Sequence, residues 1–534
     1  MKKIRISSTS YLFPKEESWS ILKKKFEISF SEIGSLFDFQ KIKKFDHEII
    51  FFFLPDILEY NNLNKDNFSK NIKKIDVFIN KLATYLKKNT NNIIFAYSEY
   101  LFENQIRFSR NIRYSFEIKN YLSKKINKLI LIYKNIYRID LDYLFGNHGF
   151  SKIFSNRNFY LMNCRLSSNG IKILSKNILK YLEKIDTSSK KLLILDCDNT
   201  LWGNVLGEVG ISKIQLGQDG IGRAFVDFQK VIKNLKNQGI LLAIASKNNL
   251  KDIKNVFRIN KNMILKEEDI TIFKVNWNDK ADNILEISND LMLGLDSFVF
   301  WDDNPVERKK VKQKLKVVDV IEPDNDVSQW PSQLLEYQGF AKFLNSKEDK
   351  NKTEQYKKRS IFIEKKKLIK DELRYLKSIK IKPQILKLNS SNIDRAVQMT
   401  QKTNQFNFST KRYNHKSLQT LKKKNEILLI KLNDLYGDHG IVSLVILKLK
   451  KNIIFVDTLL LSCRILGRYL ENWILKKIQD FSKINKAKYT LIDFKKTDKN
   501  NVVQEFIKKN NLKMKNNQIV LENNQIIEMS NIYD

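Results

Sequence analysis

The most constraining feature of the sequence is a bare apolar run, residues 192–195, that leads directly into Asp196-Cys197-Asp198. Four apolar residues without a polar interruption are typical of a strand that is buried on both faces, as in a parallel sheet covered by helices. In open α/β sheets, ligands bind beyond the carboxyl ends of the strands. We therefore expect Asp196 and Asp198 at that edge, where two carboxylates can share a hard cation such as Mg²⁺.

Two further apolar runs end in polar clusters. Residues 240–245 lead into Ser246-Lys247-Asn248, and residues 298–301 lead into Asp302-Asp303-Asn304. Lys280 lies between these two runs in the sequence. A carboxylate nucleophile, carboxylates for a metal, and a hydroxyl and an ammonium for phosphate oxygens together favour phosphoryl transfer.

The alternation of apolar runs with amphipathic stretches predicts an α/β protein with several domains. We predict an amino-terminal α/β domain over 1–185, a parallel-sheet domain over 186–335, a helical connector over 336–380 and a second strand-and-helix domain over 381–534. A helix is expected between strands at Lys65–Lys88. The predicted strands of the first domain are Ile4–Ser7, Glu27–Phe30, Ile49–Leu54, Ile93–Tyr97 and Leu129–Tyr133, and those of the last are Ile427–Leu432, Ile441–Lys448, Ile453–Leu461 and Tyr489–Phe494.

The composition of the chain limits which binding partners and which cellular compartment are expected. The 534 residues carry a formal net charge of +37, and 80 of the 96 basic residues are lysine. Two explanations stay open: solvated lysine faces that reflect an A/T-rich coding sequence, or a selected surface for a polyanion or an acidic protein, with nucleic acid the less favoured partner. Three cysteines and the lack of a leader-like or membrane-spanning apolar run predict a cytoplasmic protein without a disulfide framework.

Four motifs occur in order along the chain: Asp196-Cys197-Asp198, the strand-end Ser246, Lys280 and the pair Asp302-Asp303. In this order they resemble the motifs of the haloacid dehalogenase (HAD) superfamily of phosphotransferases. The resemblance implies a Rossmann-like parallel sheet in which Asp196 is the nucleophile and Asp198 the general acid and base. It implies that Lys280 stabilises the phosphoryl group, that Mg²⁺ is the cofactor, and that the substrate is a phosphorylated small molecule. The implied phosphate-binding residues are Ser246, Lys247 and Thr200. The implied metal-binding residues are Asp196, Asp302, Asp303 and Asp198, the last through its backbone carbonyl oxygen.

A longer set of residues is similar to the FkbH-like subgroup of that superfamily (subfamily IIIC): Leu195 to Gly203, Gly207 to Gly210, Ser246 to Asn249 and Phe300 to Arg308. The subgroup implies an amino-terminal domain resembling SGNH hydrolases and a carboxyl-terminal domain resembling GNAT acyltransferases. It also implies that a glyceryl unit from 1,3-bisphosphoglycerate is dephosphorylated and loaded as a thioester on an acyl carrier protein. Other members modify surface sugars, so transfer to a sugar amino or hydroxyl group is the alternative function.

Cys197 lies between the two implied catalytic acids and has two interpretations. A thioester-forming step favours a nucleophilic sulfur that carries the acyl group. The alternative is a small buried residue, because two neighbouring carboxylates disfavour a thiolate.

The carboxyl-terminal domain contains a strand, a Gly-containing turn and a helix in succession over residues 453–478. Such a turn presents backbone N–H groups that can cradle a pyrophosphate. Arg464 and Gly467 resemble the coenzyme-A-binding turn of GNAT acyltransferases, while Tyr469 departs from it where a small residue is usual. The resemblance implies that the ligand is coenzyme A or a phosphopantetheine thioester. Its implied contacts are Arg464, Gly467, Arg468, Asn404 and His439. His439 is expected in a hairpin turn, as a general base or as a structural residue.

The amino-terminal domain is predicted not to hydrolyse substrate. Ser8 and Ser10 follow the first strand, as in SGNH hydrolases, but the late stretch from Asp140 to His148 lacks the D-x-x-H spacing. We therefore expect these serines to cap the end of the strand.

Overall fold

The structure is a computed structural model. It describes the chain except residues 14–16, 33–35, 37–44, 60–62, 90, 102–112, 134, 187–188, 341–351, 370, 451, 529–531 and 534. The chain forms two compact units, one comprising Met1–Asp186 with Asn414–Ser417 and the other comprising the remainder. Three sheets follow one another along the sequence.

The first unit contains a parallel sheet in the order β2-β1-β3-β4-β5. All seven residues of β3 are buried, as expected for a strand covered on both faces. The strands are β1 (Lys2–Ser8), β2 (Phe26–Phe30), β3 (His47–Phe53), β4 (Asn92–Ser98) and β5 (Ile136–Asp140). The helices are α1 (Ser20–Lys23), α2 (Lys65–Lys88), α3 (Tyr114–Ile132), α4 (Leu141–Gly146), α5 (Phe150–Ile153), α6 (Asn156–Met162) and α7 (Ser168–Asp186).

One predicted strand is wrong. The run Leu129–Tyr133 forms the last turn of α3 and the residue after it. Leu129 is buried, whereas Leu131 is 77% exposed, so the run presents only part of its apolar surface to the core. A short apolar run cannot be assigned to a strand or to a helix by periodicity alone. The predicted helix Lys65–Lys88 is confirmed as α2, whose start is fixed by the side chain of Asn64.

The second sheet is parallel, with the order β10-β9-β6-β7-β8. Its central strands are flanked by apolar clusters on both faces, which confirms the prediction of a covered parallel sheet. The strands are β6 (Leu192–Leu195), β7 (Leu241–Ser246), β8 (Ile272–Val275), β9 (Phe298–Trp301) and β10 (Asp319–Val320). The helices are α8 (Leu206–Val209), α9 (Gly220–Asn237), α10 (Leu250–Ile259), α11 (Lys280–Leu291), α12 (Pro305–Lys314) and α13 (Trp330–Glu336).

The third sheet is mixed, with the order β11-β12-β13-β14-β15-β17-β16, in which only β14 and β15 pair in parallel. The strands are β11 (Lys382–Lys387), β12 (Glu426–Asp434), β13 (Gly437–Lys450), β14 (Ile453–Leu461), β15 (Tyr489–Asp493), β16 (Lys513–Lys515) and β17 (Gln518–Glu522). The helices after α13 are α14 (Lys352–Leu368), α15 (Glu372–Ser378), α16 (Ile393–Lys402), α17 (His415–Lys422), α18 (Leu470–Ile484) and α19 (Asn501–Lys509).

Helix α14 joins the second and third sheets through their cores. Tyr356 is buried in the apolar cluster on one face of the second sheet. Phe362 is buried in the main cluster of the third sheet. Within the described residues, no helix is long and apolar enough to span a membrane.

A buried amide connects the loop that follows β6 to the segment between α10 and β8. Gln229, on α9, donates to the carbonyl oxygen of Leu201 at 2.8 Å. Its side-chain oxygen accepts from the N–H groups of Ile264 at 2.9 Å and Leu265 at 3.1 Å. Gln229 is fully buried, so water cannot replace these partners.

We therefore predict that Gln229→Ala lowers the free energy of unfolding by about 3 kcal/mol, because buried backbone groups lose their partners. The urea midpoint, followed by tryptophan fluorescence, measures the change. Gln338→Ala, at an exposed glutamine, is the control. Equal midpoints for the two variants would contradict the prediction.

Candidate active site

Three carboxylates meet at the carboxyl edge of the second sheet. Asp196 follows β6, and Asp302 and Asp303 follow the adjacent strand β9. One oxygen from each of these three residues lies within 4.8 Å of the others. The sheet order brings them together, because neighbouring parallel strands end at the same edge.

The ammonium group of Lys280 lies among these carboxylates. Its Nζ is 3.0 Å from Asp196 Oδ2 and 2.6 Å from Asp302 Oδ2. Burial would lower the pKa of Lys280, but the carboxylates of Asp196 and Asp302 outweigh it and raise that pKa. Burial, and then the charge of Asp196, raises the pKa of Asp302. Lys280 therefore stays charged and offsets part of the repulsion between the acids.

Asp198 is held by three donors. Trp202 Nε1 and the N–H of Leu206 both donate to its Oδ1 at 3.0 Å. Asn248 Nδ2 donates to its Oδ2 at 2.8 Å. Burial raises the pKa of Asp198. Asn248 had no predicted role, and its position two residues after the strand-end Ser246 was the available signal.

The predicted phosphate-binding residues divide into two groups. Thr200 donates to Asp303 Oδ1 at 3.0 Å, and Ser246 is buried at the end of β7 beside the Cys197 thiol. Both belong to the loops around the three carboxylates. Lys247 is paired with Glu307 at 3.0 Å, so its ammonium is directed to a carboxylate of the protein itself.

Cys197 packs in the apolar cluster of the second sheet and has no exposed surface. Burial, reinforced by Asp196 and Asp198, raises the pKa of its thiol well above the usual range. These surroundings favour the packing interpretation over the acyl-bearing thiol.

Arg308 supports the loop that carries two of the acids. Its Nη1 donates to the carbonyl oxygens of Asp302 at 2.8 Å and Asp303 at 2.6 Å. Its Nε lies 2.8 Å from Glu322, which anchors the guanidinium. The sequence motif contains Arg308, but its role depends on a backbone conformation that the sequence does not display.

The carboxylate cluster fits a divalent cation. Asp196 Oδ1 is buried and has no hydrogen-bond partner within the described residues. A buried carboxylate oxygen without a donor is costly unless a cation or a ligand contacts it. Asp196, Asp302 and Asp303 would therefore hold Mg²⁺, which prefers oxygen ligands. The side-chain oxygens of Asp198 accept from the three donors described above, which leaves its backbone carbonyl oxygen as the predicted metal ligand.

In the third sheet, the two predicted ligand arginines have partners inside the protein. Arg464 donates to Gln355 Oε1 at 2.8 Å and to the carbonyl oxygen of His439 at 2.5 Å. Arg468 is fully buried, and its Nε is 2.8 Å from Asp434 Oδ2. These contacts hold the turn and the β12–β13 hairpin in place.

His439 lies within β13 and not in the hairpin turn, which corrects the expected position. Its Nε2 is 2.8 Å from Asp434 Oδ1, so Asp434 lies between His439 and Arg468. Burial lowers the pKa of His439, although Asp434 opposes this. The three buried side chains form one network, which favours the structural interpretation of His439.

The predicted coenzyme-A turn is covered by α14. Gly467 adopts a φ of 89°, in the left-handed region that favours glycine. Lys366 Nζ donates to the Gly467 carbonyl oxygen at 3.0 Å, and Arg359 donates to that of Leu466 at 3.0 Å. Asn404, the remaining predicted contact, accepts from Arg412 at 3.0 Å.

A cavity of about 690 Å³ lies beside the same hairpin, and Gln355 and Ile441 are among its lining residues. Arg464 donates to Gln355 and to the carbonyl oxygen of Ile441, at 2.8 and 3.4 Å respectively. The volume is in the range of small-molecule sites.

In the first unit, the side chains of Ser8 and Ser10, at the end of β1, form hydrogen bonds with the backbone of the protein. Ser8 Oγ accepts from the N–H of Ser10 at 3.1 Å. Ser10 Oγ donates to the carbonyl oxygen of Asn163 at 2.9 Å. These contacts agree with strand-end capping.

The structure is similar to a crystal structure of the N-terminal part of the protein BF1531 from Bacteroides fragilis, which contains a phosphatase domain complexed with Mg. The sequence identity is 28%, the TM-score is 0.55, and the match covers 63% of this chain and 93% of that chain. This similarity agrees with the HAD-like arrangement of the second sheet.

Weaker matches are to the PaiA N-acetyltransferase of Thermoplasma acidophilum in complex with coenzyme A and to a GNAT acetyltransferase of Elizabethkingia anophelis with acetyl-CoA bound. Their TM-scores are 0.20 and 0.19, and their identities 14% and 12%. They cover 26% and 27% of this chain, and 98% and 96% of their own, respectively. TM-scores this low establish no shared fold. No protein-family model matches the chain, and neither does any curated protein sequence.

We predict that Arg308→Ala weakens Mg²⁺ binding by about 10- to 100-fold, because the loop carrying Asp302 and Asp303 loses its support. Isothermal titration with MgCl₂ measures the affinity. Lys309→Ala, at the exposed neighbouring residue, is the control. An affinity equal to that of the control would show that Arg308 does not position the acids.

Proposed function

We propose that the second sheet carries a Mg²⁺-dependent phosphatase and phosphotransferase of the HAD type that acts on a phosphorylated small molecule. The observation that carries the proposal is the position of Lys280 between Asp196 and Asp302, with one oxygen of Asp196 buried and without a donor within the described residues. The similarity to a phosphatase domain that was solved with Mg supports the same reaction.

In the proposed reaction, a carboxylate oxygen of Asp196 attacks the phosphorus atom and forms an aspartyl-phosphate, and the bond to the leaving oxygen breaks. Asp198 gives that oxygen a proton and then accepts a proton from the water that releases inorganic phosphate. Lys280 and Ser246 stabilise the phosphoryl oxygens. A bound Mg²⁺ would offset the negative charge of the phosphoryl group.

We also propose that the third sheet supports transfer of an acyl unit to the thiol of an acyl carrier protein, with a glyceryl unit as the acyl group. In an acyl phosphate, the thiolate attacks the carbonyl carbon and inorganic phosphate leaves. Because Cys197 is buried, the acyl group passes directly to the acceptor. The cavity beside the β12–β13 hairpin supports an acceptor or phosphopantetheine site there. The roles of Arg464, Arg468 and His439 are then to position this hairpin. The amino-terminal unit is proposed as a non-hydrolytic, SGNH-like domain.

We predict that Asp196→Asn lowers phosphate release from phosphate esters by about 10³-fold or more, because the amide cannot form the phosphorylated intermediate. Colorimetric phosphate release measures the rate, and circular dichroism checks the fold. Asp219→Asn, at an exposed aspartate of the same domain, is the matched control. An unchanged rate would remove Asp196 from the nucleophile role.

The proposed transfer of a glyceryl unit to a carrier-protein thiol can be tested by its stoichiometry. With 1,3-bisphosphoglycerate and a holo carrier protein, we expect two inorganic phosphates for each glyceryl thioester formed, because one phosphate leaves as an ester and one as an anhydride. Mass spectrometry of the carrier and phosphate analysis give the two counts. Phosphate release without carrier acylation would favour the alternative acceptor, an amino or hydroxyl group of a nucleotide-linked or surface sugar.

A further inference from the structure

Trp277 differs from the other tryptophans in its exposure. The chain has six tryptophans, all within the described residues, and five of them are at most 6% exposed. Trp277 is 76% exposed. An isolated exposed apolar side chain needs no functional explanation. The position of Trp277 and the rigidity of its loop are what set it apart.

The loop that carries Trp277 connects β8 to α11 and is fixed on both sides of the indole. The amides of Asn276 and Asn283 exchange two hydrogen bonds, at 3.1 and 2.9 Å. The N–H of Asn278 donates to Asn276 Oδ1 at 3.0 Å, and Asp279 Oδ1 caps α11 through the N–H of Ala281. The indole is therefore presented to solvent by a preorganised backbone, which lowers the entropy lost when a ligand covers it.

The same loop is tied to the phosphoryl-transfer residues. The N–H of Asn276 donates to the carbonyl oxygen of Ser246 at 3.2 Å. Lys280, three residues after Trp277, contacts Asp196 and Asp302. The loop that carries Trp277 therefore lies at the same edge of the sheet as the carboxylate cluster. The other loops at this edge of the sheet expose the neutral amides of Asn199 and Asn249, and Asn278 is exposed in the loop itself.

We propose that Trp277 forms a subsite for the part of the substrate beyond the phosphoryl group, and that this part presents a C–H face to the indole. The inference rests on the proposed phosphatase function and specifies its substrate class. An indole face packs against apolar C–H groups, and exposed amides suit hydroxyl groups. A sugar ring and a short hydroxy-acyl chain both offer this chemistry.

Acrylamide quenching of tryptophan fluorescence tests the subsite without relying on turnover. Because the other five tryptophans are buried, the readily quenched emission belongs to Trp277 and disappears in Trp277→Phe. We use Asp196→Asn protein with Mg²⁺, so that the probe is not consumed, and add glucose 6-phosphate or 3-phosphoglycerate. Protection by the first identifies a sugar ring, and protection by the second identifies a hydroxy-acyl chain. A probe that binds by calorimetry without protecting Trp277 overturns the proposal.

Kinetics of Trp277→Ala give the second measurement. We expect the ratio of kcat/KM for the protecting phosphate ester to that for acetyl phosphate to fall about tenfold, which is the contribution of one aromatic contact. Trp277→Phe should restore part of the ratio. Ile259→Ala, an exposed apolar residue at the far end of α10, is the control. Equal losses for both substrates would overturn the subsite. Absence of any phosphate hydrolysis by the unaltered protein would instead refute the proposed function, and the inference with it.

Discussion

The electrostatic balance around Lys280 is the constraint on which the site depends. Three carboxylates with oxygens within 4.8 Å of one another repel strongly in a buried environment. One ammonium lies between two of them, and two hydrogen bonds from Arg308 support the loop that carries Asp302 and Asp303. The remaining negative charge is what a divalent cation would neutralise. This balance requires β6, β9 and the start of α11 to meet at one edge, which the parallel sheet provides.

The positions of Asp196, Asp302 and Lys280 at this edge could be predicted because the signals for them lie in short stretches of consecutive residues. A buried strand followed by an acid is visible in a few consecutive residues, and parallel strands bring such ends together. The partners of the motif residues were not visible in the same way. Glu307 pairs with Lys247 across 60 residues, and Asn248 contacts Asp198 across 50. Which lysine lies among the motif carboxylates and which pairs with Glu307 is decided by tertiary contacts of this kind. The sequence shows only that both are lysines.

In the third sheet, by contrast, the residues that the pattern indicated for ligand contacts have partners within the protein. Arg464 matches a ligand-binding pattern and Arg468 lies within the same turn, yet both side chains are directed into the protein. Helix α14 covers this turn, because its Arg359 and Lys366 donate to carbonyl oxygens of the turn and its Gln355 accepts from Arg464. These partners are more than 100 residues away in the sequence, so the pattern of the turn does not contain them. Likewise, the run Leu129–Tyr133 has the composition of a strand, but its context makes it the end of a helix.

Helix α14 also limits how the chain can be divided. It supplies Tyr356 to one core and Phe362 to another, six residues apart on one rigid rod. Dividing the chain on either side of the helix would remove an aromatic ring from one of the two cores and leave a cavity there. Separate expression of the two halves, or their exchange by recombination, would therefore start from an incomplete core. We therefore expect the second and third sheets to be inherited as a single unit.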